Sequence, residues 1–308
     1  MLFTDETKNI IMRNLHLYNK LYEYGKENIK DKKIVFCGMV RDCGTEIKNN
    51  IPTIEKIGAY FQDYRVVVFE NNSIDTTKDV LTKWKGDNGK VFAECNDFDE
   101  SKYKNIPKEK SYYLSNSRRR IQKYIDYRNL YMEYLDKMEF DYDFVALIDY
   151  DIAKIDIKGF ISSFGTELEW DAITANGYSL SPKLKRRYHD TYALCEAGKE
   201  NRPQTEEDIL TNRDNFAFLR KGMPFIRTFS AYGGIAIFRG DILNGIRYKI
   251  IMNNYDGVEV RCEHFSVFKQ LFEKGHDKVY INPNMEVYYQ RITLNLIIKK
   301  IKDLINRY

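Results

Sequence analysis

The sequence has little of what marks several large classes of protein. Its five cysteines include no CxxC pair, which argues against both a zinc site and a disulfide framework. No apolar run approaches the ~20 residues of a membrane-spanning helix, and the first residues lack the basic and then apolar pattern of a signal peptide. We therefore expect a cytoplasmic protein, or one held peripherally on the inner face of a membrane.

Several catalytic motifs are also missing. There is no P-loop, no GxGxxG and no Ser–His–Asp pattern, so kinase, dehydrogenase and serine hydrolase functions lack support. Lysines and arginines are distributed among acids and not in one stripe, and the net charge is only +4, which argues against a nucleic-acid partner. With 43% hydrophobic residues, the chain has ample material for one α/β domain over 1–308.

Two acids follow the most strand-like run of the chain. Residues 144–148 are all apolar, which is typical of a strand buried on both faces of a parallel sheet. Asp149 and Asp151 come next, and side chains two apart in an extended chain point to the same side. Converging carboxylates prefer Mg²⁺ or Mn²⁺, so the pattern predicts a metal-bridged diphosphate site at this strand end. The alternative is an ordinary acidic loop.

The turns after the first two strands, predicted over 34–40 and 65–70, carry polar residues suited to a nucleoside. An acid ending the second strand of a βαβ unit is where a ribose hydroxyl is bound, which favours Glu70. The alternative is a turn that only caps the next helix. The predicted contacts in these turns are Arg41, Asp42, Glu70, Asn72 and Asp75.

Two helices are predicted around these strands. One runs roughly over 46–62, with its regular part starting near Asn50 because Pro52 fits a first turn better than an interior. The other, over 117–138, has Arg128 in the middle of its apolar stripe. A buried charge must be paired, so Arg128 either meets a buried carboxylate or reaches a phosphate. Arg120 lies on a neighbouring face and is predicted to bind the donor as well.

The second half of the chain contains one long excursion and several strands. Residues 178–225 are too long for an ordinary connection, which indicates a lid or an acceptor wall. A strand is predicted over 230–238, where Gly233 and Gly234 allow the backbone to approach a ligand. A helix over 264–274 and strands over 279–283 and 285–289 complete the sheet.

Together these segments resemble the nucleotide-sugar-dependent glycosyltransferases of the GT-A fold, which is an α/β fold with a mostly parallel, Rossmann-like central sheet. The nearest resemblance is to the cryptococcal capsule mannosyltransferase-like group and related bacterial capsule enzymes, over about 33–290. The matching segments are 69–77, 127–129, the DxD motif at 149–151, 232–238, 262–264 and 282–283.

The resemblance implies Mn²⁺ or Mg²⁺ held by Asp149 and Asp151, with His264 as a further ligand. It implies that Glu263 binds the acceptor or acts as the base of an inverting reaction, and Asp190 is our second candidate for the base. Tyr150 joins the predicted donor-binding residues. The residues expected to bind the acceptor are Tyr232, Gly233 and Gly234.

The expected reaction moves a sugar from a UDP- or GDP-sugar to a glycan or lipid-linked acceptor in surface polysaccharide synthesis. We expect a helical extension over 1–30, a donor half over 33–175 and an acceptor half over 176–290. A catalytically silent sugar- or nucleotide-binding module and a nucleotidyltransferase are the alternatives. Residues 291–308 predict a basic amphipathic helix, which either lies on an anionic membrane or packs its apolar stripe on protein.

Overall fold

A computed structural model describes residues 5–106, 117–181 and 183–289, together with 297, 298, 301 and 302, and gives only the backbone of 5–12. The helices of these residues that are at least six residues long are α1 (Asp5–Ile29), α2 (Gly44–Gly58), α3 (Thr77–Asp87), α4 (Arg118–Lys137), α5 (Ile157–Ser162), α6 (Glu206–Asn215) and α7 (Glu263–Glu273).

One large sheet and one small hairpin account for the strands of the described residues. They are β1 (Lys33–Val40), β2 (Asp63–Asn71), β3 (Val91–Asn96), β4 (Phe144–Ile148), β5 (Lys154–Ile155), β6 (Ala172–Leu180), β7 (Arg186–Tyr188), β8 (Ile226–Thr228), β9 (Ile235–Arg239), β10 (Met252–Tyr255), β11 (Val258–Val260) and β12 (Val279–Tyr288). The large sheet has the order β3-β2-β1-β4-β9-β6-β12-β5, with β7 beside β6 and β8 beside β12, and β10 pairs with β11 separately.

The predicted fold class is confirmed, because the sheet is mostly parallel along this path and has helices on both faces. β1, β2, β3 and β4 run parallel, as do β6 and β12, while β9 runs antiparallel between β4 and β6. Alternating side chains of β1 enter two different apolar clusters: Phe36 packs with residues of α2, α3 and α5, and Val35 and Cys37 pack with residues of α4 and α7. This burial on both faces explains the continuous apolar runs of the strands.

Helix α2 differs from its prediction. It begins at Gly44 and has Pro52 in its interior, so the predicted start near Asn50 is wrong. Side chains from the loop after β2 satisfy its first amides: Cys43 N donates to Thr77 Oγ1 at 2.9 Å, and Gly44 N donates to Asp75 Oδ2 at 3.0 Å. These external caps stabilise a helix start that the local sequence does not indicate.

Three other segments differ from their predictions. The excursion over 178–225 contains the end of β6, the short strand β7 and the capped helix α6. The strand predicted over 230–238 begins only at Ile235, after a turn in which Gly233 and Gly234 have positive φ. The two strands predicted over 279–289 form one strand, β12, with an irregular register between Asn282 and Glu286.

The predicted C-terminal helix falls mostly outside the described residues. Residues 297, 298, 301 and 302 are helical, and Ile298 and Ile301 are exposed. The amphipathic helix over 291–308 therefore stays a prediction.

Candidate active site

The cavity that most of the predicted site residues line, called the main cavity below, opens at the carboxyl ends of β1, β2 and β4 and has a volume of about 640 Å³. The predicted site residues that line it are Arg41, Asp42, Arg120, Arg128, Asp149, Asp151, Asp190, Tyr232, Glu263 and His264. The predicted site residues absent from its lining are Glu70, Asn72, Asp75, Tyr150, Gly233 and Gly234. A cavity at this end of the strands agrees with the usual position of ligands in open α/β sheets.

Both DxD acids line the main cavity, directly after β4. Asp149 N donates to Gly234 O at 2.9 Å, which continues the pairing of β4 with β9 by one residue. Tyr150, between the two acids, points into the core: it is 1% exposed and its ring meets Trp84 edge-on at 6.2 Å. The chain turns at Tyr150 and Asp151, and the ring of Tyr150 packs in the core while both neighbouring acids line the cavity.

Arg128 lines the cavity and is the charge partner of two acids. Its Nε lies 3.2 Å from Glu263 Oε1, and its Nη2 lies 3.5 Å from Asp149 Oδ1. Burial raises the pKa of Asp149 to about 7, Arg128 acts against this rise, and the charges of Asp151 and Asp190 add to it. The acids are therefore crowded enough to repel one another, and Arg128 neutralises only part of their charge.

His264 and Tyr232 form a stacked pair beside Asp149. Their ring centroids are 3.7 Å apart, and Tyr232 Oη donates to Asp149 Oδ1 at 3.0 Å. His264 Nδ1 lies 3.5 Å from Tyr248 Oη, while its buried Nε2 has no hydrogen-bond partner among the described residues. Burial lowers the pKa of His264 well below its ordinary value, so the ring is neutral at pH 7 and can act as a metal ligand.

The residues fit a divalent cation that is shared with a substrate. Among the described residues, no three His, Cys, Asp or Glu side chains are grouped as a metal site, so Asp149, Asp151 and His264 do not form a closed cage. Mg²⁺ is ordinarily held by one or two carboxylates together with substrate phosphates and water. The two acids are donors suited to such an open site, as is Nε2 of His264, which makes no hydrogen bond among the described residues and lies 3.8 Å from Glu263 Oε1.

Glu263 and Asp190, the predicted acceptor acids, reach the cavity from separate elements. Glu263 is the first residue of α7 and is 4% exposed, and besides Arg128 it accepts a contact from Cys262 Sγ at 3.4 Å. Asp190 follows β7, and its Oδ2 accepts from Gly233 N at 3.3 Å. Burial raises the pKa of Asp190 to about 6, and the charge of Glu263 adds to the rise.

Gly233 and Gly234 support the site from outside the cavity lining. A Cβ on Gly233, where φ is +65°, would lie 2.3 Å from Ala175 O, so the turn packs directly on β6. Its polar groups hold the acids: the amide of Gly233 binds Asp190, and the carbonyl of Gly234 binds Asp149. The backbone at Gly233 and Gly234 was predicted to approach a ligand. In the structure it closely approaches β6 and the acids Asp149 and Asp190.

The polar residues after β2 mostly hold the loops together. Glu70 is fully buried, and its Oε1 accepts from Ser73 N at 2.6 Å. Asn72 bonds the backbone of Phe98 through both its Nδ2 and its Oδ1. Asp75 accepts from the first amides of two helices, Gly44 N of α2 at 3.0 Å and Thr77 N of α3 at 2.9 Å. These contacts explain why the three side chains lie outside the cavity lining.

Asn71, one residue after Glu70, was missed by the sequence reasoning. It lines the cavity, is 3% exposed, and its buried Oδ1 has no hydrogen-bond partner in the described residues. The alternation of side chains along β2 could have identified it, because neighbouring residues of a strand face opposite sides. Such an unpaired buried amide oxygen is costly unless a ligand supplies a donor.

Further basic groups at the cavity were also missed. Lys123 and Arg213 line it, and Lys123 is paired with Glu100, which also accepts from Arg41 Nη1 at 2.8 Å. Arg120 Nε donates to Tyr124 Oη at 2.9 Å. Basic side chains therefore line the same cavity as the DxD acids, and arginine in particular suits phosphate oxygens.

The cavity lies where open α/β sheets bind their ligands, and acids and arginines line it. Residues 33–266 match the family described as cryptococcal mannosyltransferase 1. This match covers well over half of the 308 residues, so the chain belongs to this family, and the predicted class of glycosyltransferase is confirmed. No curated protein matches the sequence.

Solved structures with related architecture include several glycosyltransferases. A mannosyltransferase from Pyrobaculum calidifontis, solved with GDP-Man and Mn²⁺, is 10% identical with a TM-score of 0.44, covering 97% of this chain and 74% of that one. S. aureus TarS is 14% identical with a TM-score of 0.42, covering 83% and 60%. Glucosyl-3-phosphoglycerate synthase from Mycobacterium tuberculosis, solved with Mn²⁺ and UDP-glucose, is 11% identical with a TM-score of 0.43, covering 92% and 80%.

None of the helices in the described part of the chain combines the length and the apolar character needed to cross a bilayer.

Proposed function

We propose that this glycosyltransferase moves a sugar from a UDP- or GDP-sugar to a saccharide or lipid-linked glycan in a reaction that depends on Mn²⁺ or Mg²⁺. The observation that carries the proposal is that Asp149 and Asp151 line one cavity together with Arg120 and Arg128. This combination supplies what a nucleoside diphosphate leaving group requires, namely acids for a cation and arginines for phosphate oxygens.

Asp149 and Asp151 would hold the cation, with His264 Nε2 as a third ligand. The cation would neutralise the charge that grows on the diphosphate as the sugar leaves. Tyr232 fixes one oxygen of Asp149 by its hydrogen bond and one face of His264 by stacking. Arg128, which is buried among acids and rings, supplies a fixed positive charge beside the same oxygen.

For the donor nucleoside we assign Asn71 together with Arg41 and Asp42, which line the cavity at the ends of β2 and β1. The unpartnered Oδ1 of Asn71 can accept from a ribose hydroxyl or a base N–H. Glu70, Asn72 and Asp75 are not part of this assignment, since they are absent from the cavity lining and each bonds the backbone around it.

For the acceptor, Asp190 and Glu263 are the available carboxylates. In an inverting reaction we assign the base to Asp190, because Glu263 is bonded to Arg128 whereas Asp190 accepts from a backbone amide. The pKa of Asp190, raised to about 6 by burial, is closer to the pH at which a base must exchange protons. Glu263 would then orient the acceptor.

The cavity lining is consistent with a donor half over 33–175 and an acceptor half over 176–290. Nucleotide-side residues such as Asn71 and Arg120 come from the first, and Asp190 and Glu263 from the second. Surface polysaccharide synthesis is the setting that we propose. Attachment to a membrane through 291–308 rests on the sequence alone.

The test is a panel of UDP- and GDP-sugars assayed for release of nucleoside diphosphate with Mn²⁺ and with EDTA. We expect release from at least one donor, its loss in EDTA, and a loss of about 100-fold or more in Asp149→Asn. Tight donor binding without any release would support a silent binding module. Release of pyrophosphate from a nucleoside triphosphate and a sugar phosphate would support a nucleotidyltransferase.

A further inference from the structure

Two aromatic rings from separate strand ends stack against each other at the cavity. His189 directly follows β7 and Tyr289 directly follows β12, and both strands pair with β6. The ring centroids of His189 and Tyr289 are 3.7 Å apart with an interplanar angle of 22°. Both residues line the main cavity.

The backbone beneath the pair leaves room for it. A Cβ on Gly177 of β6 would lie 2.4 Å from Gly233 O and 2.8 Å from Tyr289 Cε2, so the missing side chain lets the Tyr289 ring approach the strand closely. His189 is bonded to the same residue, with its amide donating to Gly177 O at 3.0 Å. The pair is therefore fixed by three strands of the sheet, although His189 comes from the long excursion.

His189 remains accessible beside its stacking partner. Tyr289 stacks on its ring, and His189 is nevertheless an exposed residue that lines the cavity. Asp190, Thr191 and Tyr192 follow it along the cavity wall. A flat ring with a carboxylate and a hydroxyl beside it is a combination that binds the apolar face and the hydroxyl groups of a sugar.

The ring carries no charge at neutral pH. The cavity walls desolvate it and lower its pKa to about 4, and the positive charge of Arg213 adds to this effect. A neutral ring does not itself attract phosphate.

We propose that His189 and Tyr289 form a platform on which a pyranose ring of the acceptor stacks, with Asp190 beside it to meet the reacting hydroxyl. This inference rests on the proposed function and deepens it, because it names a saccharide as the group bound next to the transferred sugar. It also assigns the excursion over 178–225 a specific part of the acceptor site.

The test compares His189→Ala, which removes the platform, with His189→Phe, which keeps a flat ring. His16→Ala, on the exposed side of α1, is the matched control. We expect the KM for a saccharide acceptor to rise about 5- to 20-fold in His189→Ala and to stay within about twofold in His189→Phe and in the control. Release of nucleoside diphosphate without acceptor, and the affinity for nucleoside diphosphate with Mn²⁺, stay unchanged in all three.

Equal losses in His189→Ala and His189→Phe would overturn the platform, as would an unchanged acceptor KM in His189→Ala. A loss of nucleoside diphosphate affinity in His189→Ala would assign the ring to the donor instead. Where the wild type releases no diphosphate from any donor, the proposed function fails, and the platform is tested separately. Saturation-transfer NMR with methyl α-mannoside, methyl β-glucoside and methyl β-galactoside then gives signals for the wild type that are lost in His189→Ala if the platform binds sugar.

Discussion

At the end of β4, Asp149 and Asp151 both line the main cavity, whereas at the end of β2 Glu70 and Asp75 are absent from its lining and only Asn71 is present. The two loops lie at the same edge of one sheet and look alike in sequence, since each places acids directly after an apolar strand. Asp75 and one oxygen of Glu70, Oε1, accept from nearby backbone amides, while Glu70 Oε2 is buried without a hydrogen bond among the described residues. Two loops of similar sequence thus differ in whether their acids reach the cavity or make contacts within the loop.

The largest effect is expected from removing the counter-charge at the β4 end. In Arg128→Met, Asp149 and Glu263 lose the cation that lies within 3.5 Å of both, so the free energy of unfolding should fall by about 3–5 kcal/mol. Arg120→Met, on the same helix but exposed, should change it by less than about 0.5 kcal/mol. Urea unfolding measures both. Equal stability of the two variants would mean that the acids at β4 need no fixed partner.

The next effect concerns how the β4 acids are held. Tyr232→Phe removes the 3.0 Å hydrogen bond to Asp149 but keeps the stack on His264, so Mn²⁺ affinity in the presence of nucleoside diphosphate should fall about tenfold. Tyr188→Phe is the control, because this buried hydroxyl has no hydrogen-bond partner in the described part of the chain. Calorimetric titration with Mn²⁺ measures both. An unchanged affinity in Tyr232→Phe would show that the bond does not position Asp149 for the metal.

A smaller effect should separate two neighbours at the β2 end. Asn71→Ala should raise the KM for the donor about 3- to 10-fold, because one hydrogen bond to the nucleoside is lost. Glu70→Gln keeps an acceptor for Ser73 N and should leave the donor KM within about twofold. Steady-state kinetics with the best donor of the panel measure both. The reverse result, a raised KM in Glu70→Gln alone, would restore the ribose contact expected from the sequence.

The smallest effect is a pH dependence at the same loop. The hydrogen bond from the Thr77 side chain is the largest of the contacts that lower the pKa of Asp75 below 3.8. Its charged form therefore adds stability above about pH 4, and this contribution is lost as the pH falls through the lowered pKa. Asp75→Asn should be less stable than the wild type by about 0.5 kcal/mol at pH 7, because Asp75 is exposed. Denaturant unfolding between pH 7 and pH 2.5 should show the difference shrinking below pH 4, and a constant difference would contradict the capping role of the charge.

Some of the fold follows from local sequence alone. The apolar run over 144–148 is β4 at the predicted bounds, because a strand buried on both faces needs no context to be recognised. The start of α2 could not be predicted in this way, since Asp75 and Thr77 cap it from more than thirty positions away. Pro52 was misleading because a proline restricts only the backbone around its own position. It carries no information about the side chains that cap the helix eight residues earlier, at Gly44.

The candidate site likewise contains residues that the sequence predicts and residues that it does not. The DxD acids and Arg128 could be predicted, because a charge next to an apolar stripe or strand requires an explanation. Asn71 was missed since an amide carries no charge that stands out in a sequence, although its neighbour Glu70 was considered. The pairing of His189 with Tyr289 could not be predicted, because 100 positions separate the two rings and only the order of the sheet brings them together.

The most direct test of the central claim is calorimetric titration of the wild type, Asp149→Asn and Asp151→Asn with UDP and with GDP, each with Mn²⁺ and with EDTA. If Asp149 and Asp151 coordinate a cation that binds the diphosphate, the wild type binds one of the nucleotides at least tenfold more tightly with Mn²⁺ than with EDTA. Both variants then lose this Mn²⁺-dependent increase in affinity. Full Mn²⁺-dependent affinity in either variant would contradict the account.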